Sequence, residues 1–315
     1  MRRQLTRVML AAVIAACSSS PTAPSALSRL YVANAFNNSV TIYAAGASGN
    51  VTPIATIAGS NTGLSYPGGL GLDATGALYV ANRDNSAVTV YAAGVTGNVV
   101  PSATITGSGT GLNSPTGIVV SAAGRLYVAN LGNNSITTYA TGATGNATPA
   151  TTLAGSNTGL SYPVGIALDT ARGRLYVSNA GPTTNSITSY AAGANGNVGP
   201  TTTIAGSSTG LIAPAGIAVD AAGRLYVANV LGNSITIYAA GASGNVAPTA
   251  TIAGSSTGLK NPYGVALDPA GALYVVNETD STITVYAPGT AGNVSPTATI
   301  TGSNTGLSAP TFIAF

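Results

Sequence analysis

The chain has 315 residues, of which 45% are hydrophobic and only 5% are charged. Disordered chains combine low hydrophobicity with high charge, and soluble domains average about 25% charged residues, so this composition excludes an intrinsically disordered protein. The sequence contains no histidine, no tryptophan and a single cysteine, which excludes imidazole catalysis, histidine-ligated metals and intrachain disulfides.

The N-terminus has the pattern of a bacterial secretion signal. Three arginines in the first seven residues precede an uninterrupted apolar run, 8–16, which is too short to span a bilayer as a helix of about 20 residues. Two alanines then lead to Cys17, an arrangement that resembles the lipobox of bacterial lipoproteins. The resemblance implies a signal peptide over residues 1–16, a lipid on Cys17, and a Ser/Pro-rich tether within 17–27. The alternative is an ordinary secretory signal with an incidental cysteine.

Removal of this signal changes the charge of the chain. Three of the ten basic residues lie in it, so seven basic residues remain against seven acidic ones and the mature chain is neutral. A nucleic-acid-binding surface needs a stripe of basic residues, so no nucleic-acid partner is expected. Lipid on Cys17 would anchor the protein to a membrane of the bacterial cell envelope, on its extracytoplasmic side, at an outer membrane or the cell surface. We expect a monomer.

Six repeats fill the remainder of the sequence, 28–315, which we predict to be one domain. The repeats are spaced by 48 to 50 residues, and two markers recur in step in them. The first marker, L-Y-V, begins at Leu30, Leu78, Leu126, Leu175, Leu225 and Leu273. The second marker, P-x-G followed by Ile, Leu or Val, begins at Pro67, Pro115, Pro163, Pro214 and Pro262, with a degenerate sixth copy at Pro310.

Each repeat contains four short segments rich in β-branched residues and tyrosine, separated by Gly, Asn, Asp and Pro. This pattern is typical of strands and turns, and we name the four predicted strands a to d. In the fourth repeat they cover residues 165–169, 174–179, 186–190 and 201–205. Four antiparallel strands per unit and six units predict an all-β fold, a six-bladed β-propeller.

The two ends of the repeat region complement each other. The first repeat begins at strand b, with Leu30, whereas the chain stops after a lone strand a at 310–315. We therefore predict that Phe312–Phe315 pairs with the Leu30 strand, so that one blade contains both ends and the ring closes.

The repeat resembles that of the NHL family of six-bladed propellers. The residues that carry the resemblance are P-V-G-I-A-L-D from Pro163, G-R-L-Y-V-S-N from Gly173 and N-S-I-T-S-Y from Asn185. One difference is that asparagine follows the L-Y-V strand where the family usually has aspartate. The resemblance implies the architecture, while its activity stays open because the same ring serves lyases, lactonases and binding modules.

The residues present limit the chemistry. No catalytic residue is identified, and no metal site or cofactor is indicated. Family lyases rely on a histidine-bound metal, which this chain cannot supply. Gluconolactonase-like propellers bind a divalent cation such as Ca²⁺ through carboxylate and amide oxygens, for which Asp84, Glu278 and Asp280 are the candidates.

Most other charged and aromatic residues occupy equivalent positions in several repeats, which favours structural roles. Four aspartates at the a–b turn and four arginines that open strand b are expected to form exposed ion pairs, each contributing at most about 1 kcal/mol. They are Asp73, Asp169, Asp220 and Asp268, and Arg29, Arg125, Arg174 and Arg224. Twelve tyrosines, one in each L-Y-V and one at the end of each strand c, are expected to pack between blades.

Residues that break the repeat are the candidates for ligand binding. They lie in the b–c loops and d–a connections, which share one face of a propeller and vary freely. The candidate ligand patch consists of Phe36, Arg83, Asp84, Lys260, Tyr263, Glu278 and Asp280. The alternative is neutral drift in exposed turns.

Three function classes remain open. The first is a lipid-anchored module that binds a protein, glycan or cell-wall ligand, which the near-uniform blades and the scarcity of charge favour. The second is a metal-assisted hydrolase or lactonase, and the third is a structural spacer without a ligand. The balance of residues is against an enzyme.

Overall fold

The computed structural model describes residues 29–182 and 184–315, which form six four-stranded antiparallel sheets. The prediction of a six-bladed propeller is confirmed. The predicted signal peptide, Cys17 and the tether lie outside the described residues. No helix in the described part of the chain is long and apolar enough to cross a membrane.

We number the blades I to VI by the order of their b strands in the chain. Blade I contains β1 (Leu30–Asn34), β2 (Ser39–Tyr43), β3 (Ala55–Ala58) and β24 (Pro310–Ala314). Blade II contains β4 (Pro67–Leu72), β5 (Leu78–Asn82), β6 (Ala87–Tyr91) and β7 (Ala103–Ile105). Blade III contains β8 (Pro115–Val120), β9 (Leu126–Asn130), a single-turn 3-10 helix (Leu131–Asn133), β10 (Ser135–Tyr139) and β11 (Thr151–Leu153). Blade IV contains β12 (Pro163–Asp169), β13 (Arg174–Ala180), β14 (Asn185–Ala191) and β15 (Thr202–Ala205). Blade V contains β16 (Pro214–Val219), β17 (Leu225–Asn229), β18 (Ser234–Tyr238) and β19 (Ala250–Ala253). Blade VI contains β20 (Pro262–Leu267), β21 (Leu273–Asn277), β22 (Thr282–Tyr286) and β23 (Ala298–Ile300).

The order of strands within each blade is a-b-c-d, and the six a strands surround the ring axis. The a–b turns and c–d loops lie on one face of the ring, which we call the lower face. The b–c loops and d–a connections lie on the opposite face, which we call the upper face. The pairing of Pro67 with Asn82 and of Leu72 with Leu78 fixes this arrangement, because strand a starts where strand b ends.

The two ends of the repeat region share blade I, as predicted. The C-terminal strand β24 pairs antiparallel with β1, placing Tyr31 opposite Ala314 and Val32 opposite Ile313. The Phe315 ring packs edge-on against Tyr274 of blade VI, with centroids 4.8 Å apart. The ring is therefore closed by β pairing within blade I and by aromatic packing onto its neighbour.

A second contact between blades, which the sequence analysis missed, runs around the outside of the ring. Each c–d loop crosses to the preceding blade, where its Gly-Asn pair forms a parallel bridge with strand d and a side-chain hydrogen bond. In blade II, for example, Gly97 N donates to Thr56 O at 2.7 Å, and Asn98 Oδ1 accepts from Asn61 N at 2.7 Å. We call this contact the Gly-Asn clasp. It covers part of the d-strand edge in every blade, an edge that would otherwise be free to pair with another chain.

The hydrophobic core consists of six clusters, each lying mainly between two successive blades. Strands b and c are buried on both faces because a blade stands on each side of them. The tyrosine at the end of each strand c is almost fully buried, and its hydroxyl donates to a threonine carbonyl in the preceding d–a connection. Tyr91 Oη, for example, lies 2.5 Å from Thr62 O. These tyrosines are packing residues, as the sequence predicts.

The asparagine that ends each strand b is fully buried, and its hydrogen bonds explain why it is not aspartate. In blade II, Asn82 Nδ2 donates to Val80 O at 3.2 Å and to Thr89 Oγ1 at 3.0 Å. Its Oδ1 accepts from Ser65 N at 3.1 Å, so the amide joins strands b and c to the d–a connection. A carboxylate can accept but not donate, so it could satisfy only part of this arrangement.

Glycine in the P-x-G marker allows the a strands to approach one another near the axis. A Cβ placed on Gly165 would lie 2.3 Å from the Ala215 carbonyl oxygen of the next blade, and four other blades show the same conflict. Only blade I departs, with Phe312 in place of the glycine. The next blade carries Gly68 and Gly69 at its own x-G positions, which leaves room beside Phe312.

Candidate functional site

Five charged side chains in the described part of the chain lie on the upper face, and all belong to blades II and VI or the connection into blade VI. They are Arg83, Asp84, Lys260, Glu278 and Asp280. Blades II and VI flank blade I, so the candidate ligand patch occupies one sector of the ring. The upper face of blades III, IV and V carries no charge among the described residues.

The local fold holds Arg83 and Glu278 in equivalent positions. Each follows directly after the last residue of strand b, and each backbone N–H donates to the neighbouring d–a connection. Arg83 N donates to Tyr66 O at 3.2 Å, and Glu278 N donates to Asn261 O at 3.2 Å. Both residues are half-buried and lie next to the start of an a strand, and Arg83 lines a small cavity at the upper mouth of the axial channel.

Three of the predicted patch residues, together with two aromatic neighbours, form a cluster at this mouth, which we call the mouth cluster. The Arg83 guanidinium lies over the Tyr66 ring, 5.4 Å from its centroid. The Tyr263 ring meets Phe312 edge-on with centroids 5.5 Å apart. Glu278, whose N–H donates to Asn261 O two residues before Tyr263, lies within electrostatic range of Tyr263 and Arg83, and we include it in the cluster. The cluster thus combines a cation, a carboxyl group and three aromatic rings.

The pKa values in the mouth cluster reflect burial and mixed charge. Burial raises the pKa of Glu278, and the Arg83 guanidinium opposes the effect. Burial raises the pKa of Tyr263 to about 12, with the Glu278 carboxylate adding to the rise and Arg83 reducing it. None of the three ion pairs among the described residues includes Arg83 or Glu278. Both groups therefore keep polar atoms available to a ligand.

Phe312 separates the mouth from the axial channel below it. Its side chain lines both a cavity at the mouth and an axial cavity of about 220 Å³ between the six a strands. The mouth cavity is only about 10 Å³, close to the minimum for one water molecule. A larger ligand would therefore rest on the mouth cluster and not pass through the ring. The sequence analysis missed Phe312, although its substitution for the repeat glycine was the signal that could have found it.

The remaining patch residues lie apart from the mouth cluster. Lys260 and Asp280 form an exposed ion pair with Nζ and Oδ2 3.3 Å apart. Phe36 is 72% exposed, and Asp84 is exposed as well. The structure therefore divides the patch into a half-buried cluster and an exposed rim.

The lower face follows the expected turn structure, but its ion pairs differ from the expectation. Of the predicted Arg–Asp pairs, the described residues show the one in blade V, where Arg224 Nε lies 2.6 Å from Asp220 Oδ2. In blade IV, Asp169 pairs with Arg172 at 3.1 Å and not with Arg174, because its a–b turn is one residue longer and contains an additional arginine. Arg125 faces a turn that has serine in place of aspartate.

A divalent cation of the hydrolase type would require carboxylates that converge. The described residues contain no group of three or more His, Cys, Asp or Glu side chains that could hold a metal ion. Asp280 is engaged by Lys260, and Glu278 lies within the mouth cluster near Arg83. The three carboxylates named for this role are thus not gathered into such a group among the described residues.

Two family models match parts of the chain. A model described as "SMP-30/Gluconolactonase/LRE-like region" matches residues 94–243, and one described as "Lactonase, 7-bladed beta-propeller" matches residues 192–304. Each covers less than half of the chain. No curated protein matches the sequence at a significant level.

Solved structures match the fold over most of the chain. One chain of a structure titled "Crystal structure of Nidogen/Laminin Complex" superposes with a TM-score of 0.64 at 15% identity, covering 90% of this chain and 97% of that chain. A Bacteroides caccae protein of unknown function gives a TM-score of 0.65 at 10% identity, covering 91% of this chain and 98% of that one. A streptogramin B lyase gives 0.55 at 13% identity, covering 82% of this chain and 75% of that one. At these identities the likeness shows the fold alone. The chain is a six-bladed β-propeller with partial sequence similarity to the gluconolactonase-like and lactonase propeller families.

Proposed function

We propose that the protein is a lipid-anchored, extracytoplasmic binding module that engages its ligand at the mouth cluster. The observation that carries the proposal is that Arg83 lies over Tyr66 and Tyr263 packs against Phe312 at one end of the axis, with Glu278 within electrostatic range of Arg83 and Tyr263. Among the six repeats, Arg83 and Glu278 are the charged residues at the position after the strand-b asparagine, and Tyr263 is the aromatic residue at the x position of P-x-G. The convergence of these three exceptions at one end of the axis favours a shared ligand.

The chemistry of the mouth cluster suits a polar ligand with a flat or ring-shaped surface. An arginine stacked on tyrosine offers both N–H donors and an aromatic face, and arginine and tyrosine are enriched among residues that dominate binding energies. Glu278 supplies an acceptor, or a donor when protonated. Sugars and protein side chains both present this combination, which supports a glycan or protein ligand.

The position of β1 supports an outward-facing upper surface. Leu30 begins β1 at its lower-face end, where it pairs with Tyr43. A lipid on Cys17, 13 residues before Leu30, would therefore attach on the side of the lower face. The mouth cluster would then face away from the membrane and stay open to a ligand.

The anchor is tested by growing the expressing bacterium with labelled palmitate. We expect label on the wild-type chain and none on the Cys17→Ala variant, which should also leave the membrane fraction. Equal labelling of both chains, or equal membrane association, would contradict the anchor without affecting the binding site.

Ligand binding is tested with the purified domain on a glycan array and by sedimentation with insoluble peptidoglycan. Replacement of Arg83 and Glu278 together by alanine removes the cation and the carboxyl group, so we expect loss of the wild-type signal. The matched control replaces Arg125 by serine and Asp73 by asparagine, which removes one charge of each sign from the lower face. Equal binding by the wild type and the mouth variant would overturn the assignment.

A metal-assisted hydrolase is the second candidate, and the two family models are the observation that favours it. The residues present do not fit the cation that such a hydrolase would need, since no carboxylate cluster lies among the described residues. Hydrolysis of gluconolactone by the purified protein with added Ca²⁺ tests this alternative. Turnover that is lost in Glu278→Gln would establish it, whereas a spacer role is supported when neither turnover nor binding is found.

A further inference from the structure

A cavity with charged and apolar walls lies on the lower face, between the a–b turns of blades V and VI. We call it the V–VI cleft. It measures about 580 Å³, within the range of roughly 300–1,000 Å³ typical of small-molecule sites. An adjoining hollow of about 400 Å³ shares Arg224 and Tyr226 with it. Neither cavity includes a residue of the mouth cluster.

The corresponding space between blades IV and V is crossed by the chain's own arginine. Arg172 Nη1 donates to Asp169 Oδ2 at 3.1 Å, and Nη2 reaches the next blade and donates to Ala222 O at 2.9 Å. Blade IV can do this because its turn reads D-T-A-R-G-R, one residue longer than the D-A-A-G-R of blade V. Blade V has no equivalent arginine, so the V–VI cleft stays open.

The V–VI cleft contains a carboxylate, Asp268, that lacks the arginine partner found in blade V. Arg224 is paired with Asp220, so this pair is neutral. Asp268 belongs to blade VI, where Ala272 occupies the position held by Arg224 in blade V. Its Oδ1 accepts from Ala270 N and Ala272 N, and none of the ion pairs among the described residues includes it. The charged groups that line the cleft therefore sum to one negative charge.

Apolar side chains form the walls beside this carboxylate. Val219 and Leu267 are half-buried at the ends of two neighbouring a strands, and Pro269 and Pro288 lie on the blade VI side. An apolar stem bound here would leave water while its charged head stays near Asp268 and the exposed turn.

We propose that the V–VI cleft binds a small organic cation whose guanidinium head pairs with Asp268 and whose short apolar stem lies against Val219, Leu267 and Pro288. The side chain of Arg172 has the same guanidinium group on an aliphatic chain, and it crosses the equivalent space between blades IV and V. Between blades IV and V, the carboxylate that binds Arg172 is Asp169 of blade IV, the earlier blade in the chain. Between blades V and VI, Asp220 of the earlier blade is already paired with Arg224, so Asp268 of blade VI is the carboxylate that would bind the ligand. Asp268 Oδ1 already accepts two backbone N–H groups, so the guanidinium would donate to Oδ2, as Arg172 Nη1 donates to Asp169 Oδ2. Its other nitrogen can then donate to a second acceptor, as Arg172 Nη2 does to Ala222 O, which favours a guanidinium over a simple ammonium.

The probe is butylguanidinium, and its uncharged isostere butylurea is the control ligand. Titration calorimetry on the complete domain should detect butylguanidinium and show much weaker binding of butylurea. Asp268→Asn should weaken butylguanidinium binding by about tenfold or more, as expected for loss of a charge-assisted hydrogen bond. Equal binding of the two probes, or no binding of the cation, would refute the proposal.

Asp73→Asn is the matched protein control. Asp73 has the same role in blade II, where its Oδ1 accepts from the N–H groups of Thr75 and Ala77, and it too lacks a strand-b arginine. It does not line the V–VI cleft. Unchanged affinity in Asp73→Asn with reduced affinity in Asp268→Asn supports the cleft, whereas equal losses would show a general effect of the turns.

A third variant inserts one arginine after Ala222, which gives the a–b turn of blade V the length and the arginine position of the blade IV turn. The inserted side chain should occupy the V–VI cleft and abolish butylguanidinium binding, while thermal unfolding shows that the ring is intact. Retained binding in a folded insertion variant would contradict the proposal. Titration with acetyl-Gly-Arg-Gly-amide distinguishes a free cation from an arginine within a peptide, because only a cleft that admits a chain would bind both.

Discussion

Asparagine 82 offers the sharpest test of how the blades are joined. Asn82→Asp keeps the size of the side chain but replaces the amide NH₂ group by an oxygen. The two donated bonds, to Val80 O and Thr89 Oγ1, are then lost or must be remade. Because Asn82 is fully buried, the new carboxylate would face the Val80 carbonyl with no water to compensate. An unpaired buried charge of this kind costs about 3–5 kcal/mol.

The cost should depend on pH in a defined direction. About 3 kcal/mol corresponds to a folded-state pKa roughly two units above the unfolded value of about 3.9 for aspartate. The folded state then holds a proton that the unfolded state has lost, so the free energy of unfolding falls as pH rises from about 4 to about 6. Below that window the protonated carboxyl can donate one hydrogen bond, and most of the stability returns.

Urea unfolding of the variant at pH 4 and pH 7.5, each compared with the wild type, measures this difference. Asn85→Asp is the control, since Asn85 lies in the same b–c loop but is exposed and makes one bond, to Gly63 O. We expect a small and nearly pH-independent change for the control. If Asn82→Asp loses the same free energy at both pH values, or no more than the control, the explanation for asparagine at this position is wrong.

Three further predictions concern the ring as a whole. Deletion of 310–315 removes the a strand of blade I and should lower the melting temperature by more than about 10 °C. Phe315→Ala should lower the melting temperature by less than the deletion does. An unchanged melting curve for the deletion would exclude ring closure by β24. Gly165→Ala should destabilise the protein by about 1–3 kcal/mol in denaturant unfolding, because the new Cβ would lie 2.3 Å from a carbonyl oxygen. Gly193→Ala is the control and should leave the stability unchanged, because open space surrounds that position. Equal effects of the two substitutions would contradict the close approach of the a strands. Burial raises the pKa values of the six tyrosines at the ends of the c strands, to about 12 in Tyr139 and Tyr190. The free energy of unfolding should therefore be constant below about pH 10 and fall between about pH 10 and 12. The absorbance of tyrosinate should rise together with unfolding, and ionisation that precedes unfolding would refute the burial of these tyrosines.

The architecture could be predicted from the sequence because the same strand and turn patterns recur in six repeats. Strand periodicity, turn residues and the complementary ends each indicate the same ring, and the observed strands of blade IV start and end within two residues of the prediction. The Gly-Asn clasp was within reach as well, since Gly-Asn recurs in all six c–d loops. It was missed because a loop that crosses to a neighbouring blade leaves no strand periodicity in the sequence.

The candidate site was predictable only in part. Breaks in the repeat correctly identified the sector of the upper face in which Arg83, Tyr263 and Glu278 meet. They could not show that Lys260 and Asp280 pair with each other on the rim, because side-chain partners depend on distances across blades. The sequence analysis missed the V–VI cleft, which is open because the a–b turn of blade V is one residue shorter than that of blade IV and has no arginine equivalent to Arg172.

The repeated contacts also explain where a ligand site can arise in such a ring. Buried asparagines and strand-c tyrosines each bond a neighbouring segment, so these positions are the same in all six repeats, and the a-strand glycine is kept in five of them. Variation remains at the x residue after the proline, in the d–a connections, in the b–c loops and in the a–b turns. The mouth cluster combines residues from the first three of these places with Phe312, the exception at the glycine position, and the V–VI cleft lies at the a–b turns. Blade VI contributes to both, with Tyr263 and Glu278 on the upper face and Asp268 on the lower face, because strand a and the turns at its two ends carry variable positions on both faces of the ring.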